Sequence, residues 1–265
     1  MVENEKDSAQ FYSRLDDIRD RAAKGEMGVS SFLTEGEVSR AGQYLKSSGM
    51  TFFFFGGYGD AERKRLYILP DYMEYSDGGE DKLFEEYDLS SRIVALLISG
   101  SGYVNLTHRD YMGSLLGLGI ERSVLGDIVL LGTEESSAVL FCDERISAFI
   151  LNDLERVGRD KVRVKVVDPA SVSLPPRRFA PVSTTLSSLR LDCVVAALCN
   201  LSRDKASTLI TGKNVDVEFM TEEKIDRNLA PPCVVSVRGF GKYRLLSADS
   251  RTKKGKIRLE AKKYL

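Results

Sequence analysis

Apolar positions recur along this chain with two periods, and the switches between those periods mark its elements. A charged stretch around 7–24 and a second from about 35 to 48 read as helices. TFFFFGGYG and KRLYILP then predict two strands, with the Gly pair as a turn or bulge. RIVALLISGSG is an apolar run ended by glycines, hence a strand. THRDYMGSLLGLGI sets Met112, Leu115, Leu116 and Gly119 at helical spacing behind Thr107, a suitable N-cap. GDIVLLG and SAVLFCD predict strands joined by the polar TEES. ERISAFILNDLERVG predicts a helix with Ile146, Phe149, Ile150 and Leu154 on one stripe. DKVRVKVVD alternates, placing Val162, Val164 and Val166 on one face of a strand.

Farther on, SLRLDCVVAALCNL puts Leu191, Val194, Val195, Leu198 and Leu201 on one side of a short helix. In SRDKASTLITGKNVDVEF, Ser202 is a good N-cap, and Ala206, Leu209 and Ile210 form a buried stripe. Gly212 falls where a helix takes a left-handed residue, Lys213 and Asn214 make the turn, and Val215, Val217 and Phe219 alternate as the buried face of a strand.

Two punctuated stretches divide these elements: the acidic DYMEYSDGGEDKLFEEYD at 71–88, and DPASVSLPPRRFAP at 168–181, which holds four of the seven prolines. The chain therefore reads as α+β in three units. Residues 1–88 form an N-terminal α/β unit. Residues 89–181 form a β-α-β-β-α-β, ferredoxin-like domain followed by a Pro-rich linker, and residues 182–265 form a C-terminal domain. RNA-recognition modules share the middle plan, but IVALLISG lacks the exposed aromatics that stack bases, so nothing supports RNA binding through that sheet.

Charge changes this picture more than composition does. The net charge of −1 hides an asymmetry: residues 182–265 hold 16 Lys/Arg against 9 Asp/Glu, a balance of +7, leaving −8 on residues 1–181. A basic end on an acidic body suits a polyanionic partner. A single His rules out His-rich metal sites, and no catalytic residue, metal site or cofactor is expected. The longest apolar runs, IVALLI and CVVAALC, are far too short to span a membrane, and the charged first 30 residues do not read as a secretory signal. Four cysteines without CxxC spacing fit a reduced, cytoplasmic compartment.

The TGK at 211–213 resembles a phosphate loop only superficially, because it follows a helix instead of opening one. The other end of that helix carries the candidate chemistry. Ser202 and its helix N-terminus, with Arg203 and Lys205, offer charge and hydrogen bonds to a phosphate. Two basic clusters follow, VRGFGKYRL with Arg238, Lys242 and Arg244, and SRTKKGKIRL with Lys253 and Lys254. Phe240 and Tyr243 interleave with them as candidate base-stacking rings.

RLD at 190–192, SR at 202–203, Ala206, LI at 209–210, Gly212 and VDV at 215–217 together resemble the alpha-L RNA-binding motif, the S-four domain. Glu218-Phe219 and Pro231-Pro232 depart from it, at turn positions. The resemblance implies RNA contacts by Arg190, Ser202, Arg203, Lys205, Lys213 and Asn214. FGGYGDAERKRLYILPDY, THRDYMGSLLGLGIERSVLGDIVL, SVRGFGKYRLL and TKKGKIRL resemble the bacterial YlmH family over most of the chain. That resemblance implies a non-catalytic binder of structured rRNA or tRNA on the large ribosomal subunit, in translation quality control. The alternative is an RNA-modifying enzyme, of pseudouridine synthase or methyltransferase type, with an appended S-four domain. Pseudouridine synthases carry a catalytic Asp in such an RLD motif, but DCVVAALC continues a helix here, so Asp192 reads as structural, orienting Arg190.

Overall fold

The computed structural model describes residues 2–73, 92–132, 136–176, 178–252 and 255–264. The chain falls into two compact units, Met1–Pro175 and Pro176–Leu265. Most of the acidic stretch at 71–88 lies outside the described residues.

Among the described residues, the first unit contains two main sheets and a separate two-stranded hairpin. Helix α1 (Val2–Ala23), strand β1 (Gly28–Val29), helix α2 (Glu35–Leu45) and strands β2 (Phe52–Phe55) and β3 (Arg65–Ile68) build the first, an antiparallel sheet in the order β1-β3-β2. The two-residue β1 carries too short a pattern to be read from sequence. Helix α1 buries Phe11, Leu15, Ile18 and Ala22, spaced three or four apart, against Leu66 and Ile68 of β3 and Ala41 and Leu45 of α2. A capping box starts α2: Glu37 N–H donates to Thr34 Oγ1 at 3.4 Å and Thr34 N–H to Glu37 Oε2 at 2.8 Å.

Strands β4 (Ile93–Ser99), β5 (Leu125–Leu130), β6 (Ala138–Asp143) and β9 (Arg163–Val167) form the second sheet, antiparallel throughout, in the order β5-β6-β4-β9. Helices α3 (His108–Gly117) and α4 (Glu144–Asp153) interleave with these strands in sequence. One face packs Leu96, Ile98, Leu140 and Cys142 against Tyr111, Leu115 and Ile150 of the helices. The opposite face buries Ile93, Ala95, Val139 and Phe141 under Phe32, with Phe55 and Tyr58 beside them. Tyr58 stacks on Phe141 at 4.7 Å. Gly57, at φ +98°, sits where a Cβ would lie 2.4 Å from the Phe141 ring, so only glycine fits there. Helix α4 stops at Asp153, earlier than its apolar stripe suggests, because residues 156–161 turn at Gly158 (φ +59°) into a hairpin, β7 (Arg156–Val157) and β8 (Asp160–Lys161). Phe149 and Val166 stay exposed.

A buried ion pair ties the two sheets. Arg65 Nη1 reaches Asp143 Oδ2 at 3.1 Å, and Arg65 also donates to the carbonyls of Ser30 and Arg92. Asp143 caps α4 and accepts from Arg145 as well. Burial pushes the Asp143 carboxyl up, but the hydrogen bonds from Arg145 and the charge of Arg65 outweigh it and hold the pKa below the ordinary range. Replacing Arg65 with Met leaves that carboxylate to Arg145 alone and takes the Arg65 hydrogen bonds from the carbonyls of Ser30 and Arg92. Chemical denaturation is expected to show a loss of roughly 3 kcal/mol, and an unchanged midpoint would refute the pair's role.

The second unit is one six-stranded antiparallel sheet under two helices. Strand β10 (Phe179–Leu186) leads into α5 (Leu191–Cys199) and α6 (Arg203–Thr211). Then come β11 (Val215–Val217), β12 (Met220–Thr221), β13 (Cys233–Val237), β14 (Gly241–Arg251) and β15 (Ile257–Tyr264), in the sheet order β10-β15-β14-β13-β11-β12. Residues 179–181, assigned to the linker on their prolines, instead begin β10. Pro181 is tolerated because β10 is an edge strand, where a missing N–H costs no ladder bond on the open side. Leu191, Val194 and Val195 of α5 and Ala206 and Ile210 of α6 are buried with Val215, Val235, Leu245 and Leu259 of the sheet. The four cysteines are all buried and unpaired. Among the described residues no helix is long and apolar enough to cross a membrane.

Candidate nucleic-acid interface

The basic residues singled out in the C-terminal stretch lie on three parts of the second unit. The first part is the junction of α5 and α6. Asp192, in the first turn of α5, is only 3% exposed. Its carboxylate accepts Nε and Nη2 of Arg190 at 3.2 Å, the Cys193 N–H at 2.9 Å and Arg203 Nη2 at 2.5 Å. Burial raises the Asp192 pKa, but the hydrogen bonds from Arg190, Arg203 and the Cys193 amide, with the charge of Arg203, overcome it and bring it down to about 2. The carboxylate thus stays ionised and fixes two guanidinium groups. Arg203 nonetheless keeps 57% of its side chain exposed, and Arg190 keeps 39%. A reactive aspartate needs access to substrate; Asp192 faces its own arginines.

Ser202 caps α6 by accepting the Lys205 amide at 3.3 Å, and the Lys205 side chain is exposed. The cap takes up that amide, so the helix end offers an anion the Arg203 fork and the Lys205 ammonium more than bare N–H groups. The N-terminus of α5 is closed to ligands, because the Leu191 and Asp192 amides donate to the carbonyls of Arg227 and Ile225.

The second part is the turn after α6. Gly212 has φ −80°, and Lys213, at φ +59°, takes the left-handed position expected of the glycine. Gly212 serves a close approach instead: a Cβ there would lie 2.9 Å from the Thr208 carbonyl. Lys213 pairs with Glu223 at 3.3 Å, with both side chains more than half exposed. The Asn214 side chain donates back to the Gly212 carbonyl, and the Asn214 backbone carbonyl accepts from the Arg238 N–H, which sets the exposed Arg238 next to this turn. Strand β11 ends at Val217. Phe219, expected in line with Val215 and Val217, lies in a two-residue hairpin where Glu218 and Phe219 both adopt positive φ. Such a turn favours Asn-Gly. Here Glu218 is anchored by the Val234 amide, which donates to its Oε1 at 2.5 Å.

The third part is the sheet itself. Lys242 and Arg244 lie on β14 with Arg244 exposed, whereas Tyr243 between them is 3% exposed and faces the core. Tyr243 is therefore no stacking ring, and Phe240 packs against the same core. The alternation that buries Leu245 also buries Tyr243, two residues earlier. The aromatics on the open side are Phe179 of β10 and Tyr264 of β15, which the sequence reading missed; the alternation of KIRLEAKKY would have pointed to Tyr264. Lys253 and Lys254 lie outside the described residues.

In the first unit, the sheet face that an RNA-recognition module would present is closed by Phe32, Phe55 and Tyr58. The FGGYGDAERKR stretch is a docked connection: Asp127 accepts the Tyr58 hydroxyl and the amides of Glu62 and Arg63 at 2.7–3.0 Å. His108 stands exposed at the start of α3. At the edge of the second sheet, a cleft of about 830 Å³ is bordered by Arg156, Lys161, Arg163 and Lys165. The sequence reading did not find it: Arg156 falls in a hairpin that the helical pattern masked, and Lys161, Arg163 and Lys165 lie in a stretch read only for its alternating valines.

These features define an α+β chain whose C-terminal unit is a helix-covered antiparallel sheet with ordered basic groups. Residues 87–171 match the family described as "Putative RNA-binding domain in YlmH". The "Ribosome-associated protein quality control protein P2" of Bacillus subtilis (strain 168) is 31% identical over 206 residues, 78% of this chain and 75% of that protein. The chain belongs to the YlmH family. A solved structure of the cell division protein ylmH from Streptococcus pneumoniae is similar over 63% of this chain and 92% of that one, with a TM-score of 0.48 and 19% identity.

Proposed function

We propose that this chain is a non-catalytic, cytoplasmic RNA-binding protein that acts on the large ribosomal subunit in translation quality control. In this reading α5, α6 and β11 form an S-four domain that grips structured rRNA or tRNA, and the β5-β6-β4-β9 sheet with α3 and α4 is a ferredoxin-like domain. The observation that carries the proposal is the Asp192 clamp, which holds Arg203 beside Lys205 at the start of α6 with more than half of the Arg203 side chain still exposed. A fixed fork loses little rotamer freedom on meeting a phosphate. The quality-control relative supports the ribosomal setting.

Sedimentation of lysate through a gradient tests this. The protein is expected to travel with free large subunits at low salt and to leave them as salt rises. Four phosphate contacts imply roughly a 100-fold loss of affinity between about 50 and 200 mM. Co-migration with small subunits alone, or binding indifferent to salt, would overturn the proposal.

A second RNA contact is favoured by the basic cleft at Arg156, Lys161, Arg163 and Lys165, because it lies within the segment matching the family's RNA-binding domain. It uses the edge of that sheet, not the closed face.

A further inference from the structure

The sheet of the second unit has an inner face, buried under α5 and α6, and an outer face. Alternation assigns each strand residue to one or the other. On β14, up to the register shift after Leu245, Tyr243 and Leu245 point inward, leaving Lys242 and Arg244 outward; on β15, Ile257, Leu259 and Ala261 point inward, leaving Arg258, Glu260, Lys262 and Tyr264 outward. Four of these outward residues are cations and one is an acid, and Glu260 is engaged by Ser183 at 2.8 Å.

The register concentrates the charge. Arg244 lies directly opposite Lys262, and both are exposed. Like charges opposed across a ladder work against the sheet, so folding alone gives no reason for the pair. An aromatic pair lies at the end of the same strip. Phe179 and Tyr264 are cross-strand partners with ring centroids 5.0 Å apart, Lys242 Nζ lies 4.2 Å from the Tyr264 ring centroid, and Lys262 Nζ lies 5.6 Å from that of Phe179. A track of cations leading to half-exposed rings is the arrangement that holds single-stranded nucleic acid, with phosphates on the cations and bases on the rings.

We propose that this outer face is a further RNA surface, distinct from both the α6 N-terminus and the basic cleft of the first unit, which takes a short unpaired RNA segment along β14 and β15. The inference rests on the chain being an RNA binder but assigns a different site from the α6 N-terminus. The hydrophobic core of the unit separates the two. The unit would then hold a structured element on its helical side and an unpaired strand on its sheet side.

The test uses the full chain and two fluorescent probes, a 12-residue oligouridylate and a structured rRNA hairpin, titrated across salt. Arg244→Glu with Lys262→Glu changes only exposed side chains, so the fold is expected to persist. Oligouridylate affinity should fall at least tenfold and its salt slope by roughly 1.4, while hairpin binding changes less than threefold. Tyr264→Ala should weaken oligouridylate binding about tenfold at unchanged salt slope, since stacking is not ionic. Oligouridylate binding unaffected by the charge reversal overturns the proposal. So does a wild-type protein that binds the hairpin but not oligouridylate, which leaves the general RNA-binding reading in place. A protein that binds neither probe refutes both.

Discussion

Asp192→Asn is expected to destabilise the C-terminal unit by about 2–3 kcal/mol and, despite removing a negative charge from the protein, to weaken its binding to structured RNA. The stability loss follows from the position of the carboxylate, buried and fully engaged by Arg190, Arg203 and the Cys193 amide. An amide of the same shape retains one acceptor and none of the charge. The effect has a pH signature. With the folded pKa brought down to about 2, the aspartate's contribution is complete above its unfolded value near 4 and is lost as pH falls through 2. Denaturation of wild type and variant from pH 7 to pH 2 should therefore show two curves converging below about pH 4. A constant gap would mean that ionisation of Asp192 is not what stabilises the unit. The RNA effect separates two views of the arginines. If net charge alone governed binding, the variant would bind more tightly. If Asp192 pre-orients Arg203, the released side chain must be ordered on contact and affinity falls. Tighter binding by the variant would sink the clamp as a positioning device.

Replacing Arg203 and Lys205 together with Ala is expected to weaken binding to structured RNA at least tenfold at about 0.1 M salt and to lower the log–log salt slope by nearly 2. The slope is the sharper readout, because it reports how many phosphates the protein neutralises and is indifferent to general damage. The two positions differ structurally. Lys205 contributes its side chain only to solvent and its amide to the Ser202 cap, so Lys205→Ala should leave the melting temperature unchanged. Arg203 is one of the partners of Asp192, so its removal should lower stability modestly, with Arg190 and the Cys193 amide still in place. An unchanged salt slope in the folded double variant would place the RNA elsewhere on the protein.

What the sequence conveyed depended on the range of the interaction. The sides of α5 and α6 and the inward Val215 and Val217 were legible, because a stripe of apolar residues is a local statement about one element. The β-α-β-β-α-β order was legible for the same reason. Turns were less so. Lys213, not Gly212, takes the left-handed conformation, since the glycine is needed where the backbone passes close to Thr208. Strand β10 was hidden because Pro181 reads as a breaker, and only pairing with the distant β15 shows its edge position. Tyr243 was misplaced by charge: its neighbours Lys242 and Arg244 made it look exposed, whereas its parity with Leu245 decides the matter. The Asp192 clamp was half legible. Its contact with Arg190 is two residues away, but Arg203 reaches it from the next helix, and no local pattern encodes that meeting.

The buried cysteines give the molecule built-in clocks. Burial pushes the Cys142 thiol up to about 12 and the Cys233 thiol to about 11, and it raises Cys199 as well, so none offers a thiolate to an alkylating reagent while its surroundings stay closed. Cys142 lies in the first unit and Cys199 and Cys233 in the second. The rate at which each takes up a label thus times the opening of its own unit. Two halves of one chain can be followed separately in one tube, with no residue changed.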